Sequence, residues 1–188
     1  MNSDFAFEKT DIEGVWIITP FVRHDGRGCF IKDYNEEVFK KNGIDYVVRE
    51  TFYSFSIKNT IRGLHFQRDR QMAKLVRCQT GSIYDAAVDL RANSPTFKKS
   101  VGFILSEENN KSLLVPEGCA HGFLALSDAL VSYKCAEIFM PDTDDGIRWD
   151  DADLDIDWPL EPGADVILSE KDANLQSYDS FRRVYGTL

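Results

Sequence analysis

Residues 60–90 read TIRGLHFQRDRQMAKLVRCQTGSIYDAAVDL, and their reading settles the class of fold. Three short apolar runs, 60–66, 73–80 and 82–90, are separated by a polar loop and by a turn at Gly81. Runs of this length, rich in β-branched and aromatic side chains, are strands. Within 74–78 the even residues Lys74, Val76 and Cys78 share one face, and Leu75 and Arg77 share the other. Arg62, His65 and Lys74 thus sit among apolar neighbours. A buried charge without a partner is costly, so charged groups on such walls point to a pocket for a small anionic ligand.

Outward from this stretch the pattern continues. Residues 14–20 (GVWIITP) form a strand, 23–28 a tight polar turn, and 29–34 a short extended segment. Residues 35–42 (NEEVFKKN) predict a helix: Asn35 caps it, two glutamates occupy its first turn, lysines come late and Gly43 stops it. A long extended stretch follows over 45–56. Downstream, 99–105, 113–115, 122–126 and 129–139 complete at least eight short strands. Even spacing with Gly, Pro, Asn and Asp turns favours an all-β sandwich or barrel, and no room exists for the helical crossovers of a parallel sheet. Residues 142–157 hold eight aspartates and read as a solvated acidic loop pinned by Trp149 and Trp158. Residues 174–188 form a short helix or an arm. With no repeat and no linker, residues 1–188 are expected to be one domain.

A net charge of -9 argues against broad binding to nucleic acid. Four scattered cysteines without CxxC spacing read as free thiols of a reducing compartment. The first residues lack a basic start followed by an apolar run, and no stretch approaches a membrane span, so a cytoplasmic protein is expected. The histidines His24, His65 and His121 are far apart in sequence, without the close pairing of a metal barrel; general-base chemistry is the stronger role. Tyr133 shares its parity with Val131 and Cys135 and is either a core tyrosine or a proton donor across a cavity. Arg27 and Arg62, each beside a glycine, suit phosphate recognition. No P-loop or dinucleotide fingerprint is present.

Taken in order, several pieces carry a resemblance. They are Gly26-Arg27-Gly28 with Phe30, residues 62–67 (RGLHFQ), 74–76 (KLV), 89–91 (DLR) with 94–97 (SPTF), and Pro116 with 121–123 (HGF). Residues 133–135 (YKC), 146–149 (GIRW), 156–159 (IDWP) and 168–172 (LSEKD) follow. In this order and spacing the chain resembles the dTDP-4-dehydrorhamnose 3,5-epimerases, over 14 to about 172. The resemblance implies a cupin-like double-stranded β-helix (jelly roll) with a few short peripheral helices. It implies epimerisation at C3 and/or C5 of a nucleotide-linked 4-keto-6-deoxy sugar, foremost dTDP-4-dehydro-6-deoxy-D-glucose to dTDP-4-dehydro-L-rhamnose, with His65 as base oriented by Asp172, Tyr133 as acid, and Lys74 near the 4-keto oxygen. Arg62 and Arg27 would hold the diphosphate, and Phe30, His121 and Lys171 would contact substrate. It further implies a homodimer in which strands within residues 1–50 reach the partner subunit, a peripheral tail over 173–188, and no metal or redox cofactor.

Departures from the family's usual residues fall at Lys32, Glu50, Phe52 and Phe139, expected around the nucleotide. Lys32 and Glu50 read as a reversed-charge pair. These changes suggest an altered nucleotide or sugar preference. A single-centre epimerase or ketoisomerase on another nucleotide sugar, for example a CDP-linked one, and a non-catalytic sugar-nucleotide binding protein are the competing readings.

Overall fold

The structure, a computed structural model, describes residues 5–188; residues 1–4 of the expected domain lie outside the described residues. In chain order come β1 (Ala6–Lys9), β2 (Trp16–Thr19), β3 (Phe21–Asp25), β4 (Gly28–Lys32), α1 (Glu36–Lys41), β5 (Glu50–Ser56), β6 (Ile61–Gln67) and β7 (Lys74–Thr80). Then follow β8 (Ser82–Asp89), β9 (Ser100–Ser106), β10 (Ser112–Val115), β11 (Cys119–Ala125), β12 (Ala129–Cys135), β13 (Asp144–Gly146), α2 (Glu170–Ala173) and α3 (Tyr178–Tyr185). One antiparallel sheet has the order β1-β2-β10-β7-β12-β5, a second β13-β6-β11-β8-β9, and β3 and β4 form a separate hairpin. This is the cupin-like jelly roll, with the three helices at its periphery.

Strand parity sorts the core into layers. Val76 and Cys78 of β7, Val131, Tyr133 and Cys135 of β12, and Phe123 of β11 meet in the cluster between the sheets. Leu75 and Leu114, on the other parity, face outward and are covered by Phe39 of α1 and by Tyr46. On the far side, Ile61, Leu64 and Phe66 of β6 are covered by Trp158, Tyr178 and Phe181. Both faces of the central strands are therefore buried, which is why their sequences read as apolar runs and not as clean alternation. Phe39 and Phe181, each fully buried, contribute roughly 1.5–3 kcal/mol apiece. Asn35 caps α1 by accepting a hydrogen bond from the Val38 amide at 3.1 Å.

Several boundaries differ from the sequence-based expectation. The segment 23–28 is not only a turn: β3 runs through Asp25, whose carboxylate accepts bonds from the Arg27 amide and guanidinium and closes a tight hairpin. The long strand expected over 45–56 begins only at Glu50; Tyr46 instead turns inward and bonds the Leu75 amide at 3.0 Å. The acidic stretch contributes β13, because Asp144–Gly146 pairs with Gln67–His65. Trp158 anchors it as expected, its indole N–H donating to Trp149 O at 2.9 Å.

One irregularity sets the geometry of the site. His121 pairs with His65 but Phe123 pairs with Arg62, so three steps along β6 match two along β11. The additional residue is a β-bulge. In a regular strand residues 62 and 65 would face opposite sides; the bulge turns both Arg62 and His65 to the interior, while Ile61 and Leu64 face out. Gly63 makes this feasible with φ +129°, and an added Cβ would lie 2.6 Å from Gly122 Cα and 2.9 Å from His121 O. Gly63→Ala should therefore destabilise the fold by about 1–3 kcal/mol. A denaturation midpoint equal to that of the parent would refute this.

Candidate active site

Between the sheets lies a cavity of about 710 Å³ including its open mouth. Its polar wall carries Arg62, His65, Lys74, His121 and Tyr133, and its apolar wall Phe52, Met72, Phe123 and Phe139. The sheets bring these residues together by register: His65 faces His121 across β6 and β11, and Lys74 faces Cys135 across β7 and β12.

His65 Nε2 lies 2.5 Å from Asp172 Oδ1. Asp172 is buried on α2, with its amide bonded to the Oγ of the capping Ser169 at 3.0 Å. Burial alone would raise the Asp172 carboxyl, but the bonds from His65 and Ser169 outweigh it and hold the group below the usual carboxylate range. A carboxylate there takes the Nε2–H, which leaves the lone pair of His65 on Nδ1.

The Tyr133 ring stacks on Phe52 at 4.7 Å between centroids, and its hydroxyl lies 3.4 Å from Ser54 Oγ. Burial pushes the phenol well above the ordinary tyrosine range, only partly offset by Ser54, so it stays protonated near neutrality. Lys74 is different. Asp144, on the same wall, is taken by Lys171, and among the described residues Lys74 has no ion-pair partner. Burial lowers its pKa. An enclosed ammonium without a counter-ion is a ready site for negative charge on a ligand.

The Arg62 guanidinium is held by Ser56 Oγ at 2.9 Å and Phe55 O at 3.0 Å, which leaves donors free toward the cavity. His121 Nε2 lies 2.8 Å from Asp85 Oδ1, both residues being buried. Asp85 was not anticipated: it sits mid-strand in an apolar run, its Cα partner is Phe123, and only the diagonal contact of its carboxylate with His121 reveals it. Gln67, Met72, Phe123, Ser54 and Asp144 also line the cavity beyond the expected set; Gln67 and Asp144 are placed by the β6–β13 pairing, whereas Ser54 follows the parity of Glu50 and Phe52 on β5.

Other expected contacts lie elsewhere. Arg27, Phe30 and Lys32 are on the β3–β4 hairpin and line no part of this chain's cavity. Arg27 pairs with Asp25 at 2.7 Å, and Phe30 is 59% exposed. The reversed-charge pair does not form: Lys32 sits over the Phe21 ring, and Glu50 accepts the Phe139 amide at 2.8 Å. That bond holds Phe139 at the cavity wall. Lys171 stands beside the site through Asp144 without lining it. His24 lies on the hairpin, away from the other histidines, and no cluster able to hold a metal occurs among the described residues. No helix among them is long and apolar enough to cross a membrane.

An imidazole with an anchored carboxylate, a protonated phenol and an unpaired ammonium around one cavity can move protons next to a carbonyl. The comparisons with known proteins agree with this chemistry. The family model for dTDP-4-dehydrorhamnose 3,5-epimerase matches residues 9–180. The enzyme of that name from Methanothermobacter thermautotrophicus is 49% identical over 173 residues, covering 92% of this chain and 94% of the relative. The one from Escherichia coli is 44% identical over 180 residues, covering 94% and 96%. The crystal structure of the Legionella pneumophila dTDP-6-deoxy-D-glucose-3,5-epimerase in complex with dTDP-4-keto-L-rhamnose superimposes with a TM-score of 0.89. It is 38% identical and covers 93% of each chain. The chain belongs to the dTDP-4-dehydrorhamnose 3,5-epimerase family and is an enzyme of the nucleotide-sugar epimerase class.

Proposed function

We propose that the protein converts dTDP-4-dehydro-6-deoxy-D-glucose to dTDP-4-dehydro-L-rhamnose by inverting C3 and C5. The observation that carries this reading is the convergence of the His65–Asp172 pair, Tyr133 and an unpaired Lys74 on one cavity. The keto sugar in the Legionella relative's complex supports the same substrate class. The C4 ketone makes the neighbouring C–H groups acidic once the enolate oxygen is stabilised. Lys74 places positive charge where that oxygen becomes negative, between two sheets whose apolar walls strengthen the attraction. His65 Nδ1 takes the proton from one face, and Asp172 stabilises the imidazolium that forms. Tyr133 gives its proton to the opposite face, which inverts the centre, and regains one from solvent. Arg62 offers its free donors to the diphosphate, and His121 lines the sugar site. Incubation in heavy water tests the reading: NMR should show deuterium at C3 and C5 with inverted configuration. Turnover without solvent deuterium would overturn it.

The working unit in this reading is a homodimer. β5 is a sheet edge carrying exposed Tyr53 and Phe55, with Ile57 just beyond it, and the hairpin exposes Phe30. Monomers seldom leave such an edge uncovered. The hairpin would carry Arg27, Phe30 and Lys32 into the partner's cavity, where Arg27 meets the diphosphate. Arg27→Ala and His65→Ala homodimers should each be nearly inactive. After mixing and subunit exchange, activity should return to about a quarter of the parent, because a heterodimer keeps one intact site. Mixtures that stay inactive after confirmed exchange would exclude a shared site.

A further inference from the structure

Strand β5 presents Glu50, Phe52 and Ser54 on one face, as alternate residues must be. Each meets part of the strand that carries the phenol or its extension. Glu50 accepts the Phe139 amide at 2.8 Å, Phe52 lies against the Tyr133 ring at 4.7 Å and 22°, and Ser54 Oγ reaches Tyr133 Oη at 3.4 Å. Phe52 and Tyr133 are also direct Cα partners in the β5–β12 ladder, so the stack is fixed by register. The His121 ring also stands edge-on to the phenol, at 6.2 Å between centroids. Tyr133 is thus gripped on one face by a hydrocarbon ring and steered at its oxygen by a hydroxyl.

We infer that Phe52 and Ser54 are positioning residues that aim the Tyr133 hydroxyl at the sugar, and so set how often a deprotonated carbon is inverted and not simply restored. The inference rests on the reading of Tyr133 as the proton donor. After His65 removes a proton, the enolate has two fates. Tyr133 can transfer its O–H proton to the far face, forming the new C–H bond and leaving a phenolate that recovers a proton from solvent. Alternatively the His65 imidazolium, its N–H exchanged with solvent, returns a deuteron to the original face. The first fate gives inversion and the second gives exchange with retention. A ring free to tilt would weaken the first without touching His65, Asp172 or Lys74. Phe52 therefore acts through the phenol, beyond forming part of the substrate wall.

The test measures both fates in heavy water by NMR of sugar recovered early in the reaction. Phe52→Leu keeps an apolar wall of similar bulk and removes the stack, and Ser54→Ala removes the oxygen contact. Each should lower the ratio of inverted to retained-but-exchanged product about fivefold, the worth of one aromatic pair or weak hydrogen bond. Phe52→Tyr, which keeps the stack, should hold the parent ratio. The ratio is internal to each sample, so partial misfolding of a variant does not disturb it. An unchanged ratio in Phe52→Leu and Ser54→Ala overturns the inference, as does an equal fall in exchange and inversion. Tyr133→Phe serves as the reference. If it loses inversion while Phe52→Leu keeps the parent ratio, the positioning role alone fails. If inversion survives in Tyr133→Phe, the donor assignment fails and this inference with it.

Discussion

His65→Ala should abolish inversion and solvent exchange together, with a loss of about 10³-fold or more at both carbons. No other base on the cavity wall has the same preparation. His65 alone has Nε2 against a buried carboxylate at 2.5 Å while its ring remains partly open to the cavity. His121 has a comparable pair with Asp85, but that pair is sealed from solvent. Asp172→Asn should show the same defect in milder form, because an amide can offer its N–H to Nε2, favour the other tautomer and leave the proton on Nδ1. Binding of dTDP should persist in both variants, since neither residue is assigned to the nucleotide. An exchange rate in His65→Ala equal to that of the parent would remove the base assignment.

Lys74→Met should lower kcat by about 10²–10³-fold while the length and apolar stem of the side chain are retained. Both exchange and inversion should fall, because enolate formation precedes both; this separates Lys74 from Tyr133, whose removal should spare exchange. The pH dependence gives a second readout. Burial depresses the Lys74 pKa, so its charge is lost as pH rises through a value below the ordinary lysine range. Activity should fall on the alkaline side accordingly. Tyr133, pushed upward by burial, still holds its proton there and is not the origin of that limb. Lys74→Arg, which keeps its charge, should retain some activity and lose the alkaline fall. A parent profile that shows no fall before the ordinary lysine range is reached would argue against Lys74 as the cation that matters.

Much of this was legible in the chain itself. Parity over 74–78 put Lys74 on one face with Val76 and Cys78, and Tyr133 on one face with Val131 and Cys135; that these are the interior faces is seen only in the folded chain. Those strands are regular, so period two is enough. Parity fails on β6, where the bulge at Gly63 puts Arg62 and His65 on one face against simple counting. Asp85 escaped for another reason: a lone carboxylate in an apolar strand shows its purpose only when the histidine diagonally across the ladder, His121, is known. The contacts given to Arg27, Phe30 and Lys32 came from family resemblance, and a single chain leaves them on an outlying hairpin. Lys32 and Glu50 looked complementary by sign alone, yet each is occupied locally, by the Phe21 ring and by the Phe139 amide.

The carboxylate beside His65 arrives 107 residues later in the chain. It comes on a one-turn helix, next to a lysine tied to Asp144. The following helix lays Phe181, with Tyr178, over the outside of the same sheet. Every strand of the two sheets precedes this segment, yet without it His65 would lack its carboxylate and the outer wall its cover. Catalytic geometry and the closure of the sheet therefore draw on one segment: loss of residues 169–185 would take away both the carboxylate beside His65 and the cover over the outer wall.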